Sequence, residues 1–158
     1  MQTVSLDGFD HAILKALQED SSRTNGDLAA IVNLSASQCS RRRSRLEDDS
    51  VITGYTARIS PTALGYGLRA ITRVNLLAHS EKNALSFAGF LDRHEEVRAA
   101  FSVSGDADYV LILMTRDLAA FADFIHRHLL PHPQVSQVRS EIVLMTLKEE
   151  SGVPVGRS

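Results

Sequence analysis

The stretch that most constrains the fold is residues 35–52, which read SASQCSRRRSRLEDDSVI. Ser35 is followed three residues later by Gln38, and this spacing predicts a helix that begins with a capping box. Cys39 and Leu46 lie seven residues apart, so they share one stripe that can face a core. Four arginines within five residues cover much of the remaining helix surface. The pattern therefore predicts a polar, cationic helix with one narrow apolar side.

Two more helices are predicted upstream. Residues 24–33 form a shorter helix whose apolar face is Leu28, Ala29, Ile31 and Val32. Residues 6–20 have Asp7 as the expected N-cap and repeat apolar side chains at spacings of three and four, namely Leu6, Phe9, Ile13, Leu14 and Leu17. A tight connection at Asn33 and Leu34 then joins two helices, of which the second is arginine-rich. This arrangement predicts a helix-turn-helix that places its second helix in the major groove of DNA.

The second half of the chain alternates strand-like and helical patterns. Residues 68–77, 97–104, 108–115 and 135–148 are strand-like. Residues 80–94 and 117–130 are helical, and the first of these helices is expected to bury Leu85, Phe87, Ala88 and Leu91. The order β-α-β-β-α-β is the ferredoxin-like pattern, with both helices on one face of the sheet. We expect the other face to be covered, most simply by a second copy of the chain.

These patterns predict an α+β protein with two domains. Residues 1–52 form the helix-turn-helix domain, and residues 53–67 form a hinge strand and linker, because β-branched residues over 51–60 indicate a short strand or wing. Residues 68–148 form the ferredoxin-like domain, and the polar residues 149–158 form a flexible tail.

Composition excludes several classes of protein. A net charge of −2 argues against a polybasic coat protein but permits DNA binding, because the cations cluster in α-helical residues 41–45. The single Cys39 excludes an internal disulfide. His126 and His128 are two residues apart, so we expect no metal site there. The sequence also lacks a glycine-rich phosphate loop and a catalytic triad pattern, so we expect neither an enzyme nor a cofactor. Without an apolar segment of about 18 residues, we expect a cytoplasmic protein that does not bind membranes.

Several short motifs occur together in one order. They are Leu6-Asp7…Asp10…Ile13-Leu14, Asp27-Leu28-Ala29, Leu34-Ser35-x-Ser37…Arg42…Leu46-Glu47, Val51-Ile52-x-Gly54-Tyr55, Gly65 after Ala63-Leu64, and Ser104-Gly105-Asp106-Ala107-Asp108-Tyr109. In this order and spacing, residues 6–148 resemble the leucine-responsive and asparagine regulator (Lrp/AsnC, or feast/famine) family. The resemblance implies a bacterial or archaeal, nucleoid-associated transcription regulator of amino-acid metabolism or transport. It also implies a homodimer that assembles further into tetramers or octamers.

The resemblance also implies that an amino acid binds between subunits near the Gly-x-x-Asp turn, residues 105–108. The implied pocket contains Phe101, Gly105, Asp106, Asp108 and Leu118, and a neighbouring subunit contributes Glu141, Ile142 and Val143. By its chemistry, a glycine turn with a positive φ offers N–H groups to a carboxylate, and two aspartates can bind an ammonium. The alternative is an ordinary hairpin turn in which Asp106 and Asp108 cap backbone amides. Glu141 either selects a polar or cationic ligand or faces solvent.

The expected contacts to double-stranded DNA are Ser37, Gln38, Arg41 and Arg45. Arg42 is assigned to a phosphate or to an acid within the protein, and Arg23 and Thr24 are assigned to phosphates. Arginine and glutamine can bind guanine and adenine bidentately. The alternative is a solvated cationic face paired with Glu47, Asp48 and Asp49.

Three positions depart from the family pattern. Arg43 replaces an apolar residue, Ser50 replaces a glycine at the helix end, and Asn33 replaces a glycine in the turn. Serine lacks the easy left-handed conformation of glycine, whereas asparagine tolerates it. Two other functions stay open: an enzyme of the same architecture, similar to sirohaem decarboxylases, and an architectural DNA-binding protein without a ligand.

Overall fold

The computed structural model of the chain describes residues 4–78, 80–149 and 152–156. The chain divides into two units, which are Met1–Arg58 with Lys148–Ser158, and Ile59–Leu147. The division falls inside the predicted linker. None of the helices among the described residues is long and apolar enough to span a bilayer.

Three helices make up the first unit in its described residues: α1 (Gly8–Glu19), α2 (Asn25–Val32) and α3 (Ala36–Asp48). Each begins at a complete capping box, formed by Asp7 with Asp10, Thr24 with Asp27, and Ser35 with Gln38. In each box the two side chains bind each other's backbone N–H groups, which satisfies donors that the first turn leaves free. The predicted caps at Asp7 and Ser35 are confirmed.

The core of the first unit lies between these helices and contains Ile13, Ala16, Leu17, Leu28, Val32, Cys39 and Leu46. Cys39 and Leu46 are fully buried, as their shared stripe predicted. Phe9 and Ile31 were predicted to face this core but are 44% and 50% exposed. Those two predictions are wrong, because α1 turns Asp10 inward beside Phe9, and α2 turns only Leu28 and Val32 fully inward.

Two non-glycine residues with a positive φ end the helices of the helix-turn-helix. Asn33, with φ 57°, closes α2, as its tolerance of this conformation predicted. Ser50 adopts φ 56° just after α3, so it takes the left-handed conformation that we expected serine to lose. The N–H groups of Val51 and Ile52 then both reach the carbonyl of Leu46 at 2.9 Å, and these two bonds hold the turn in place.

The predicted strand or wing over residues 51–60 is not formed, and the described residues of the first unit contain no strand. A strand needs a neighbouring strand for its backbone hydrogen bonds, and this unit supplies none. Tyr55 instead lies against α3.

The second unit contains β1 (Leu68–Leu76), α4 (Glu81–Leu91), β2 (Val97–Ser102), β3 (Tyr109–Thr115), α5 (Leu118–Phe124) and β4 (Val135–Ile142). The sheet order is β2-β3-β1-β4 with every neighbouring pair antiparallel, which confirms the ferredoxin-like prediction. A short 3₁₀ helix (Thr62–Leu64) precedes β1, and a π-helical turn (Ile125–Leu129) continues α5.

Strand β4 is shorter than the predicted residues 135–148. Its ladder with β1 ends at the pair Ala70 and Ile142, followed by one bond from the Val143 N–H to the Arg69 carbonyl. Because β1 begins at Leu68, β4 runs out of partner there. The apolar residues that continue the pattern are left exposed: Leu144 is 96% and Leu147 90% exposed.

The two faces of the sheet differ in burial. One face packs on both helices through Ala70, Val74, Leu111 and Leu113. From α4, Phe87, Phe90 and Leu91 reach this core, a stripe spaced at i, i+3 and i+4. The prediction was right for Phe87 and Leu91 but wrong for Leu85, which is 69% exposed, and for the exposed Ala88. The opposite face carries Ile71, Val110, Ile112 and Met114, which are half-buried in the single chain, and the exposed Phe101.

The last described residues, 152–156, lie against α1. His11 donates from Nδ1 to the carbonyl of Gly156 at 2.9 Å. Gly152 has φ +86°, and a Cβ at this position would clash with Oε1 of Gln18. Only glycine fits there without displacing Gln18, so this part of the predicted flexible tail makes specific contacts.

Candidate DNA-binding surface and ligand-binding turn

Arg42 of α3 ties that helix to the start of α1. Its Nη1 donates to Oδ2 of Asp7 and to Oδ1 of Asp10, both at 2.8 Å. Its guanidinium also lies over the ring of Phe9, 5.3 Å from the centroid. The hydrogen bonds to Asp10, and then those to Asp7, raise the pKa of Arg42. Of the two predicted roles, the structure places this side chain on internal acids.

Asp10 is the acid at the centre of this arrangement, and its side chain is only 1% exposed. Besides Arg42, its Oδ2 accepts from Nη2 of Arg45 at 2.5 Å and from the backbone N–H of Asp7 at 3.0 Å. This role of Asp10 was not predicted from the sequence. Its only signal was a carboxylate on the inward side of α1, three residues before the buried Ile13.

Arg41 and Arg45 carry the cationic charge that faces outward. Arg45 is 46% exposed although it is bound to Asp10. Arg41 is exposed and makes no ion pair within the described residues. Both arginines line a shallow depression of about 360 Å³, together with Asp7, Gln38 and Arg42. The structure thus groups most of the predicted DNA contacts on one surface.

Ser37 and Gln38 lie exposed in the first turn of α3. The Oε1 of Gln38 accepts from the N–H and the hydroxyl of Ser35, at 3.0 and 2.9 Å. While this cap is formed, Gln38 offers only its Nε2 donor to a base. The bidentate adenine contact therefore requires the cap to open.

Arg23 and Thr24 are committed to partners within the first unit. Nη2 of Arg23 pairs with Glu19 at 3.3 Å. The hydroxyl of Thr24 donates to Oδ2 of Asp27 at 2.7 Å and serves as the N-cap of α2. The backbone N–H of Thr24 also donates to Oδ2 of Asp27, at 2.8 Å, so its two donors are both used within the cap. The remaining guanidinium donors of Arg23 are what this pair can offer to a phosphate.

A second cluster, which the sequence analysis missed, holds residue 55 against α3. The guanidinium of Arg43 lies 4.7 Å from the ring centroid of Tyr55, and its Nε donates to the Tyr55 hydroxyl at 2.8 Å. That hydroxyl donates to Glu47 at 2.6 Å, and this bond, followed by one from Arg43, lowers the pKa of Glu47. The cluster explains how a charged residue replaces the apolar one typical of position 43.

The turn between β2 and β3 is built by hydrogen bonds from β1. Asn75 donates from Nδ2 to the carbonyl of Asp106, and the Leu76 N–H donates to Oδ2 of Asp108, both at 2.8 Å. Asp108 therefore caps a backbone amide, as the hairpin alternative predicted, while Asp106 is exposed. Gly105 does not use the positive φ that glycine permits, since the left-handed glycines of the described chain are Gly65 and Gly152.

The eight predicted effector residues are spread along β3 and across the sheet. Phe101, on β2, and the turn at 105–108 adjoin the start of β3, whereas Leu118 follows its end. Glu141 lies on β4, at the other edge of the sheet, opposite Ile71 and so level with the middle of β3; Ile142 lies opposite Ala70, with Val143 adjacent. Seven strand residues span about 23 Å. One chain therefore does not bring all eight residues together. Glu141 is exposed and pairs with Arg73 at 3.4 Å.

Histidines cluster in the second unit, away from this turn. The rings of His94 and His128 lie 4.9 Å apart, next to Phe90 and Phe124. Burial, and then the charge of His128, lower the pKa of His94; burial, and then Arg93, lower that of His132. Among the described residues, no group of three or more His, Cys, Asp or Glu could hold a metal ion.

Comparison with known proteins gives concordant results for both units. A sequence model of the AsnC-type helix-turn-helix domain matches residues 6–47, and one of the Lrp/AsnC ligand-binding domain matches residues 69–153. The leucine-responsive regulatory protein of Rhizobium meliloti is 38% identical over 96% of this chain and 97% of its own length. The chain belongs to the Lrp/AsnC family. Membership confirms the predicted resemblance and fold class, and the function as a DNA-binding transcriptional regulator with a ligand-binding domain.

Other members of the Lrp/AsnC family are similar over their whole length. The transcriptional regulator AzlB of Bacillus subtilis is 30% identical over 96% of this chain and 97% of its own. Among solved structures, the regulator NMB0573 of Neisseria meningitidis, in complex with L-methionine, has a TM-score of 0.92 at 34% identity. That match covers 96% of this chain and 97% of the other.

Proposed function

We propose that this chain is a regulator of amino-acid metabolism or transport that binds a pseudo-palindromic duplex as a homodimer or a larger even assembly. It acts on the bacterial or archaeal nucleoid and catalyses no reaction. The observation that carries this proposal is the exposed cationic side of α3, where Arg41 has no ion-pair partner in the described chain. That helix is the second of a helix-turn-helix, the element that enters a major groove.

Arg41 and Arg45 are the proposed base-contacting cations, with Ser37 and Gln38 beside them in the same exposed turn region. Each good bidentate pair supplies about 1–3 kcal/mol of discrimination. Arg42 serves as an internal brace, and Arg23 and Thr24 position the unit on phosphates.

Dimerisation is supported by the uncovered sheet face. Ile71, Val110, Ile112 and Met114 are half-buried there, and Phe101 is 55% exposed. An apolar face of this kind is stable in water when another surface covers it. A second copy of the same face gives a two-fold symmetric pair, which matches a pseudo-palindromic site.

The proposed effector is an amino acid, which is the class of ligand bound in the Neisseria regulator. Asp106 is exposed in the turn and can receive an ammonium, whereas Asp108 is used by the Leu76 N–H. Because Phe101 and residues 141–142 lie on strands at opposite edges of the sheet, the proposed pocket combines Phe101 and the turn from one copy with residues 141–143 from another.

Selection from a pool of random duplexes, followed by binding titrations, tests the DNA-binding assignment. We expect wild type to enrich one sequence, and the double variant Arg41→Ala with Arg45→Ala to bind it at least about a hundredfold more weakly. Arg127→Ala removes one cation, from an exposed pair in the second unit, and is the control for the loss of a surface arginine outside α3. Unchanged affinity of the double variant at physiological salt contradicts the contact assignment.

Melting curves with each of the twenty amino acids test the effector assignment. A ligand that binds only the folded protein raises its stability, by about 2.7 kcal/mol at a hundred times its Kd. We expect one amino acid, or a small related group, to raise the melting temperature, and Asp106→Asn to reduce that rise. If none does, the protein is a ligand-free architectural DNA binder.

A further inference from the structure

Asp10 lies on α1, outside the recognition helix, yet it contacts two of that helix's arginines. Its carboxylate is 1% exposed, and its two oxygens bind different partners: Oδ1 binds Arg42, and Oδ2 binds Arg45. The Asp7 N–H donates to Oδ2 as well, which fixes the carboxylate within the capping box of α1. Both oxygens are therefore held in place before any arginine reaches DNA.

The two arginines are held to different degrees. Arg42 is 27% exposed and has two carboxylates and an aromatic ring around its guanidinium, so it is part of the interior of the unit. Arg45 is 46% exposed and is held by Asp10 through one terminal nitrogen. An arginine has five N–H donors, so donors of Arg45 stay available on its exposed side.

We propose that Asp10 is a positioning residue for sequence-specific DNA recognition: it orients Arg45 toward the groove and offsets cationic charge that would otherwise bind any phosphate. This inference rests on the proposed function. Long side chains lose considerable rotamer freedom when they bind, and a guanidinium that is already held loses less. The same carboxylate cancels charge on the DNA-facing surface, which weakens non-specific binding. Asp10 therefore strengthens specific binding and weakens non-specific binding.

The variant Asp10→Asn tests both effects at once. On the duplex selected by wild type, we expect its Kd to rise about tenfold, since Arg45 must then be ordered during binding. On a random duplex we expect its Kd to fall, and the plot of log affinity against log salt to steepen by about one. The ratio of specific to non-specific affinity thus falls by more than tenfold. A role confined to stability would weaken binding to both duplexes without steepening the salt dependence.

Asp7→Asn is the matched control. It removes the same charge from the same surface, and asparagine is as good an N-cap as aspartate, but the lost ion pair belongs to Arg42 and not to Arg45. We expect it to steepen the salt dependence by a similar amount while keeping the specificity ratio within about threefold of wild type. If it lowers the ratio as much as Asp10→Asn does, charge alone is responsible and the positioning role is wrong.

Two further variants keep the test decisive if Asp10→Asn does not fold. Asp10→Glu keeps the charge but moves the carboxylate by one methylene, so we expect a lower specificity ratio with an unchanged salt dependence. In an Arg45→Ala background, replacing Asp10 by Glu is expected to leave the ratio unchanged, because the residue through which it acts is gone. An unchanged ratio for Asp10→Glu in the wild-type background overturns the inference.

Failure of the inference differs from failure of the proposed function. If wild type enriches no sequence from the random pool, the proposed function is wrong. If wild type enriches a sequence but Asp10→Asn and Asp10→Glu keep its specificity ratio, only the role of Asp10 is wrong.

Discussion

The two units of this chain hold their helices in different ways. In the described part of the first unit, seven buried side chains form the core, and Asp7 and Asp10 add polar contacts to Arg42 and Arg45 of α3. In the described part of the second, twelve buried side chains fill the space between the sheet and its helices, and apolar surface remains on the other face. In the first unit, cationic side chains that internal pairing leaves exposed lie on the surface of α3. In the second unit, the surface that internal packing leaves uncovered is apolar.

Ile112→Asp tests whether the apolar face of the sheet joins two subunits, and we expect the largest effect for this variant. Ile112 lies centrally on the uncovered face, opposite Ile71 of β1. A charge buried between two such faces is very unfavourable without a partner, whereas in a monomer it is solvated. Sedimentation or light scattering should therefore show a folded monomer, and operator affinity should fall at least about a hundredfold because two half-sites are no longer held together. A variant that assembles like wild type shows that another surface joins the subunits.

Arg42→Ala tests how much the ion pairs between α1 and α3 stabilise the first unit. Removing one partner of a buried ion pair typically costs about 3–5 kcal/mol; here Arg45 still pairs with Asp10, so we expect about 2–3 kcal/mol in the free energy of unfolding. The control is Arg127→Ala, because the Arg127–Asp123 pair is exposed and such pairs contribute about 0–1 kcal/mol. Equal effects of the two variants in denaturant titrations would mean that the ion pairs of the first unit are no more important than surface pairs.

Acidification should affect the thermal stability of the two units differently. The pKa values of His94 and His132 are lowered in the folded second unit, chiefly by burial. The unfolded chain therefore binds protons more readily below pH of about 6.5, so this stability is complete above that pH and is lost as the pH falls toward the folded pKa values. We expect calorimetry to show a lower melting temperature for the second unit at pH about 5.5 than at about 7.5. His94→Gln should reduce the difference; a pH-independent transition contradicts this prediction.

The smallest expected effect is a stabilisation of the first unit by Ser50→Gly. Ser50 has φ 56°, a conformation that costs an L-residue roughly 1–2 kcal/mol and that glycine adopts freely. Glycine loses more entropy on folding, so the net gain should be about 0.5–1 kcal/mol. The same change at Ser44, inside α3, is a matched control and should destabilise by about 0.5–1 kcal/mol. A destabilising Ser50→Gly would mean that the serine side chain contributes to the turn.

The features that could be predicted from the sequence are those that depend on nearby residues. The cap of α3 follows from Ser35 and Gln38, and the left-handed turn at Asn33 from one residue's preference. Features that depend on distant residues could not be predicted. β4 stops at Ile142 because β1 begins at Leu68, although the apolar pattern continues past that point. We predicted that Leu85 would be buried because two neighbouring stripes of α4 are equally apolar. The helical period alone does not show that the stripe containing Phe90 is the one that faces the sheet.

The candidate site shows the same division. Residues of α3 that face outward were predicted, because an arginine-rich helix start identifies them without knowledge of the fold. Asp10 and Tyr55 were missed as partners, since their roles arise only when α1 and residue 55 pack on α3. The residues of the effector pocket stay a prediction, because one chain spreads them across the sheet from β2 to β4.

The contact between residues 152–156 and α1 has a practical consequence for anyone who purifies this protein. Because Gly156 is bonded to His11 of the DNA-binding unit, an affinity tag fused after Ser158 is attached beside that unit and not to the end of the sheet domain. In mobility-shift assays with such fusions, the tag as well as the recognition helix would affect the measured DNA affinity. A cleavable tag at this end, removed before any titration, avoids the artefact.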